Sequence, residues 1–202
     1  MTTLSDYVME MFELDPAREP PYLVPAHRWS LFPHLFNAVG YKRGAEVGVA
    51  GGRFARRLCE EVNGLKLYLV DPWRVYGQYE GRYSQAHMDR DFRKAMNRLR
   101  MFDVRFMREF SHVAVNQYQD GCLDFVHIDA NREFASVTEN IKLWTPKIRK
   151  GGMLCGTCYY DLRDHGIGQV KKAVDAWTLL NGIDPWFVAV HPRYPAWFWE
   201  VR

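Results

Sequence analysis

The chain alternates short apolar runs with longer stretches in which apolar residues recur every three or four positions. The runs AEVGV (45–49), LKLYLV (65–70), DVRFM (103–107), LDFVHID (123–129) and MLCGT (153–157) have the length and composition of strands. Between them, 52–62 brings Phe54, Leu58 and Val62 to one helical face, and 84–100 does the same with Phe92, Met96 and Leu99. A third amphipathic stretch, 133–149, offers Val137, Ile141, Leu143 and Ile148 to a core, and 111–119 and 168–180 predict two more helices. Strands alternating with helices predict a parallel sheet covered on both faces.

The tail reads WFVAV (186–190), the turn HPRYP, then AWFWEV (196–201). So short a connection makes the two runs antiparallel, because a parallel crossover needs a dozen or more residues. The expected fold is thus α/β, a doubly wound, Rossmann-like sheet of about seven strands, mostly parallel, with an antiparallel C-terminal hairpin. Pro16, Pro20, Pro21 and Pro25 predict an irregular arm before a helix at 28–39. No repeat or linker divides the chain, so 1–40 is expected to pack as arm and helix on a domain at 41–202.

With 202 residues, 48% of them hydrophobic and 15% aromatic, the chain has material for one well-packed domain, and disorder is excluded. A formal charge of +3 calls for neither nucleic acid nor an anionic membrane. The acidic opening segment lacks the pattern of a secretory signal, and no apolar run reaches the roughly 18 residues of a membrane span. Cys59, Cys122, Cys155 and Cys158 lie mostly in apolar runs, which predicts reduced thiols and a cytoplasmic setting.

Open α/β sheets bind ligands beyond the carboxyl ends of their strands, where the strand order reverses. Glu46, Gly48, Val49, Gly51 and Gly52 follow the first strand of the alternating series, Asp71 ends the second, and Asp129 ends the fourth. Glycines let the backbone approach a ligand, and a carboxylate at the second strand's end suits the hydroxyls of a ribose. A dinucleotide would use similar devices. However, Ala50 stands where the second glycine of G-x-G-x-x-G belongs, and Glu46 would repel a pyrophosphate. An acid there suits a cationic amino-acid head, and this favours S-adenosylmethionine over a nicotinamide dinucleotide.

From residue 45 onward the chain resembles class I S-adenosylmethionine-dependent methyltransferases, in particular methyltransferase family 24 of the small-molecule branch. AEVGVAGGRFARRL is similar to the family's first motif, LYLVDPW to its second, and the block from FSHVAVNQYQDG through LWTPKIRKGG to its centre. The resemblance implies that Glu46 and Gly48 lie near the methionine part of the cofactor, Asp71 at the ribose, and Pro72 or Trp73 beside the adenine. It further implies Phe110 and Ser111 at the adenine ring and Asp129 beside the methyl group. Trp73 is equally compatible with a core position.

Methyl transfer displaces a sulfonium carbon and usually requires a base for the acceptor. Relatives commonly carry Gly-Asp-His-Ser-Tyr after this strand and a His-Asp-Tyr-like triplet after the next; here the residues are Ala130 to Phe134 and Thr157-Cys158-Tyr159. Arg132 replaces the histidine and Cys158 a carboxylate. A thiol is a poor partner for Mg²⁺, so no catalytic metal is expected. Candidate bases are His127, Tyr159, Asp161 and His165. His165 is preferred, with Asp129 and Tyr159 beside it in the expected catalytic set, because His127 lies inside a buried strand.

Cys155 and Cys158 form a C-x-x-C that is read as two buried thiols, and the basic run 90–108 is read as a solvated helix face. The loop 73–83, rich in Tyr, Arg and Gly, is expected to cover a small-molecule acceptor that is polar, anionic, sugar-like or aromatic. The expected function is O- or N-methylation of a small molecule. A cofactor binder without catalysis, an NAD-dependent oxidoreductase and an RNA methyltransferase are the alternatives. Self-association is left open.

Overall fold

The structure is a computed structural model and describes residues 2–160, 169–192 and 194–202, with the backbone alone at Gln78. Eight strands form one sheet in the order β1-β7-β8-β6-β5-β2-β3-β4. They are β1 (Tyr22–Val24), β2 (Arg43–Val47), β3 (Lys66–Val70), β4 (Val104–Met107), β5 (Leu123–Ile128), β6 (Ile148–Gly156), β7 (Phe187–Ala189) and β8 (Ala196–Glu200). β8 runs antiparallel to both β6 and β7, and the other pairings are parallel. The hairpin therefore lies inside the sheet.

The eighth strand is β1, in the segment expected to be irregular. It pairs Tyr22 with Phe187 and Val24 with Ala189 at the sheet edge. Three residues between prolines carry too little periodicity to be legible as a strand. The same segment holds helix α1 (Leu4–Met11), started by a capping box in which Thr3 Oγ1 accepts from Asp6 N at 3.0 Å.

Helices α2 (Arg28–Ala38), α3 (Arg53–Glu61) and α4 (Gln85–Leu99) share one core with α1. Helices α5 (Ser111–Ala114), α6 (Phe134–Trp144) and α7 (Val170–Leu180) share the core on the sheet's other face. Strand side chains alternate between the two. Leu67, Leu69, Met153, Cys155 and Phe198 join the first core, and Val70, Leu154, Trp197 and Trp199 the second.

Pro33 sits inside α2 and has no amide to offer the Trp29 carbonyl; Arg57 Nε of α3 donates to that oxygen instead, at 3.2 Å. α6 ends at Trp144, short of the expected boundary, because Pro146 cannot continue it, and β6 begins at Ile148. In α4 the buried line is Ala95 and Leu99 with Phe92 beside them, whereas Met96 faces outward. No helix among the described residues is long and apolar enough to cross a membrane.

Candidate functional site

Connections from β2 run outward through β3 to β4 in one direction, and from β5 to β6 in the other, so the carboxyl ends of β2 and β5 flank the switch point. There Gly48 takes a φ of +91°, and a Cβ on it would lie 2.2 Å from the Asp129 carbonyl oxygen. Only glycine lets the turn after β2 pass this close to the end of β5.

Asp71 pins that turn. Its Oδ2 accepts from the Val49 and Ala50 amides at 2.9 and 3.0 Å, and its Oδ1 from Trp73 N at 2.7 Å. Burial raises the Asp71 pKa, while the three amides pull against the shift. A carboxylate has about four acceptor positions, so three bonds leave room for a ligand hydroxyl.

Two adjoining cavities open here. The first, about 360 Å³, is lined by Gly48, Asp71, Pro72, Trp73, Phe110, Ser111 and Asp129 among others. The second, about 700 Å³, is lined by Glu46, Gly48, Val49, Gly51 and Asp129 together with Arg28, Arg132 and Tyr160. Of the residues expected at the cofactor, all but Gly52, which packs against Ala95 and Leu99 of α4, line one cavity or the other, and Gly48, Asp129, Tyr79 and Tyr83 line both.

Glu46 is the least ordinary of them. It is 2% exposed, and its Oε2 has no hydrogen-bond partner among the described residues. Burial first, and the Asp129 charge second, push its pKa well above the usual carboxylate range, opposed by Arg28 and the Ala55 amide. Its Oε1 lies 3.9 Å from Nδ1 of His127.

His127 is a core histidine, fully buried beside Phe32 and Phe54. Arg28 Nη1 lies 3.0 Å from its Nε2, and since a guanidinium only donates, Nε2 accepts and the proton sits on Nδ1. Burial and the Arg28 charge push its pKa well below 6.5. Arg28 also reaches Asp129 Oδ2 at 3.3 Å through both Nη atoms. Nothing local in the sequence marks Arg28, because its partners lie some hundred residues away.

Ser111 Oγ bonds Asn140 Oδ1 and accepts from Trp144 Nε1 at 2.7 Å, so α6 orients it at the cavity wall. Phe110 meets Tyr76 edge-on at 5.0 Å. Trp73 occupies the core position of its two expected alternatives: it is 1% exposed, packs on Phe92 and Phe106, and donates Nε1 to the Ala50 carbonyl at 2.9 Å. It closes the wall and offers no free ring face for stacking.

Tyr159 lies away from both cavities. Its hydroxyl donates to Asp175 Oδ1 at 2.6 Å, and its ring packs on Trp186. Cys158 takes a φ of +63°, and past this kink Tyr160 reaches the second cavity. Cys155 and Cys158 are free, buried thiols with raised pKa values. Asp161 and His165 lie outside the described residues. Among the described residues, no group of three or more His, Cys, Asp or Glu is placed to hold a metal ion.

His87 and Asp91, on α4, were not anticipated. They line both cavities and pair with each other at 3.2 Å. In the sequence they look like any polar pair spaced four apart on a helix.

Residues 45–156 match the model of a family described as a methyltransferase domain. No curated protein matches the chain significantly. The O-methyltransferase TomG from Streptomyces achromogenes, involved in tomaymycin synthesis and solved with SAM, aligns at 15% identity and a TM-score of 0.62 over 98% of this chain and 89% of its own. An O-methyltransferase from Bacillus cereus in complex with SAH gives 14%, 0.62, 98% and 90%. The N-methyltransferase NodS from Bradyrhizobium japonicum WM9 gives 12%, 0.57, 85% and 93%. At these identities the likeness is one of fold.

Proposed function

The chain belongs to methyltransferase family 24, and from that premise we propose that it methylates an oxygen or nitrogen of a small-molecule acceptor with S-adenosylmethionine. The observation that carries this reading is Glu46: a buried carboxylate with one oxygen unpartnered among the described residues, lining a cavity beside a glycine turn. Such a group calls for a cationic ligand, and the amino group of S-adenosylmethionine is one.

When bound, S-adenosylmethionine supplies an electrophilic methyl carbon on a sulfonium. Glu46 would hold its amino head, Asp71 its ribose through the acceptor position left open, and Phe110 and Ser111 its adenine. Asp129 lines both cavities, between the residues that would hold the amino head and those that would hold the ribose and adenine, and would lie beside the methyl group with its carboxylate steadied by Arg28.

Deprotonation of the acceptor is assigned to His165. Tyr159 is set aside as a catalyst, because its hydroxyl already serves Asp175. Arg132 and Cys158 support a metal-independent reaction, since neither is a ligand for a hard cation. Tyr76, Tyr79 and Tyr83 support a covering role for the 73–83 loop, and four free thiols support a cytoplasmic setting.

Label carried on the cofactor's methyl group, incubated with the protein and a metabolite extract, is expected to appear in a small-molecule product. His165→Ala is expected to retain cofactor affinity and lose turnover. Label that never leaves the cofactor would instead make the protein a binder without catalysis.

A further inference from the structure

We propose that the acceptor carries an oxyanion, a carboxylate or a phosphate, and that the Arg132 guanidinium holds it. The proposal rests on the methyl-transfer reading above and specifies its substrate class.

The second cavity is lined by Arg28, Arg53, Arg82, Lys94, Arg98 and Arg132, against the carboxylates Glu46, Asp91 and Asp129. These cations come from α2, α3, α4 and two loops, so the fold converges them on one space. Several are already engaged. Arg28 pairs with Asp129, Lys94 with Asp91, and Arg98 with the Gly51 carbonyl. Burial of Glu46 disfavours the third negative charge. Arg53, Arg82 and Arg132 have no carboxylate within ion-pair distance among the described residues.

Arg132 differs from the other two in being half-buried. Its Nη1 donates to the Tyr160 hydroxyl at 3.2 Å, a neutral partner. Its backbone is anchored, because Gln169 N at the start of α7 donates to the Arg132 carbonyl at 2.8 Å. A guanidinium has five donors in a rigid fork, so one bond to a phenol leaves donors for a planar or tetrahedral oxyanion. Burial works against the Arg132 cation, but nearby Cys158 and Asp129 outweigh it and raise its pKa, so the charge is retained. With no carboxylate bonded to it among the described residues, its remaining donors are open to an anionic ligand.

S-adenosylmethionine brings one carboxylate of its own. Arg53, beside the N-terminus of α3, is placed to meet it, since helix N-termini attract anions. Arg132 and Arg82 then remain in surplus, and Tyr79, Tyr83 and Tyr160 supply aromatic surface around them.

The test uses the full chain loaded with S-adenosylhomocysteine, so the cofactor's carboxylate is already in place. Calorimetry compares two matched pairs of probes, benzoate with benzamide and phenyl phosphate with phenol. At least one anion is expected to bind tenfold or more tightly than its neutral partner, and the pair showing the gap tells carboxylate from phosphate. In Arg132→Gln the gap is expected to close to within twofold, with S-adenosylhomocysteine affinity unchanged. If that variant does not fold, Arg132→Lys, which keeps the charge and loses the fork, is expected to narrow the gap at least threefold. Equal binding of anion and neutral partner in both pairs, or a gap that survives the Arg132 change, overturns the proposal. Failure to bind S-adenosylhomocysteine would instead overturn the methyltransferase reading itself.

Discussion

Arg28 donates to Asp129 from 3.3 Å, so a helix that precedes the family-matched region supplies the cation for the carboxylate at the tip of β5. The same guanidinium donates to His127 and lies over the Phe54 ring at 4.7 Å. Arg28→Met leaves the Asp129 carboxylate and the buried His127 acceptor without their donor. Breaking one side of a buried pair costs about 3–5 kcal/mol, and the partial exposure of Asp129 lowers this to about 2–4 kcal/mol. Urea denaturation is expected to record that loss; a change below about 0.5 kcal/mol would show that the contact does not hold the site together.

Glu46→Gln keeps the shape and removes the charge. With the ionised form disfavoured by burial, the variant without ligand is expected to match or exceed the parent's stability at pH 7. Its affinity for S-adenosylmethionine is expected to fall at least tenfold, about 1.4 kcal/mol. Equal affinity would remove Glu46 from the site.

Asp71 carries two tasks, holding the turn and receiving the ribose. Asp71→Ala removes the acceptor of three amides and is expected to cost about 2–4 kcal/mol, since hydrogen bonds to charged groups contribute about 1.5–3 kcal/mol each and are not additive. Asp71→Asn keeps one acceptor oxygen and is expected to lose about half as much. Thermal and urea unfolding of the two variants check the order; an alanine variant as stable as the parent would contradict the pinning role.

The ends of β2, β3 and β5 were legible because apolar runs with alternating faces announce strands, and the acids at their ends have no place in a core. The locations of Glu46, Asp71 and Asp129 followed directly. The aromatic residues were less legible. Trp73 and Tyr159 both follow strands, but which way a ring turns depends on backbone conformation past the strand end, and the φ of +63° at Cys158 brings Tyr160, not Tyr159, to the cavity. Arg28 and β1 were illegible for another reason. Each acquires its role only from partners far along the chain, and neither leaves a local pattern.

His127 makes stability depend on pH. Its folded-state pKa is pushed well below 6.5, so the unfolded chain binds the extra proton first as pH falls. Stability contributed by neutral His127 is full above about 6.5 and declines from there down to the folded-state value, with a slope approaching about 1.4 kcal/mol per pH unit. His127→Gln retains an acceptor for Arg28 and does not titrate. Urea midpoints from pH 7.5 to 5 are expected to fall less steeply in the variant; identical slopes would mean that other groups set the acid dependence.

The central claim is that the cleft between the ends of β2, β3 and β5 binds S-adenosylmethionine. Isothermal calorimetry of the purified chain with S-adenosylmethionine, S-adenosylhomocysteine and NAD tests it in one series. Saturable one-to-one binding of both adenosyl compounds, and none of NAD, is the expected result; no binding of either adenosyl compound would contradict the account.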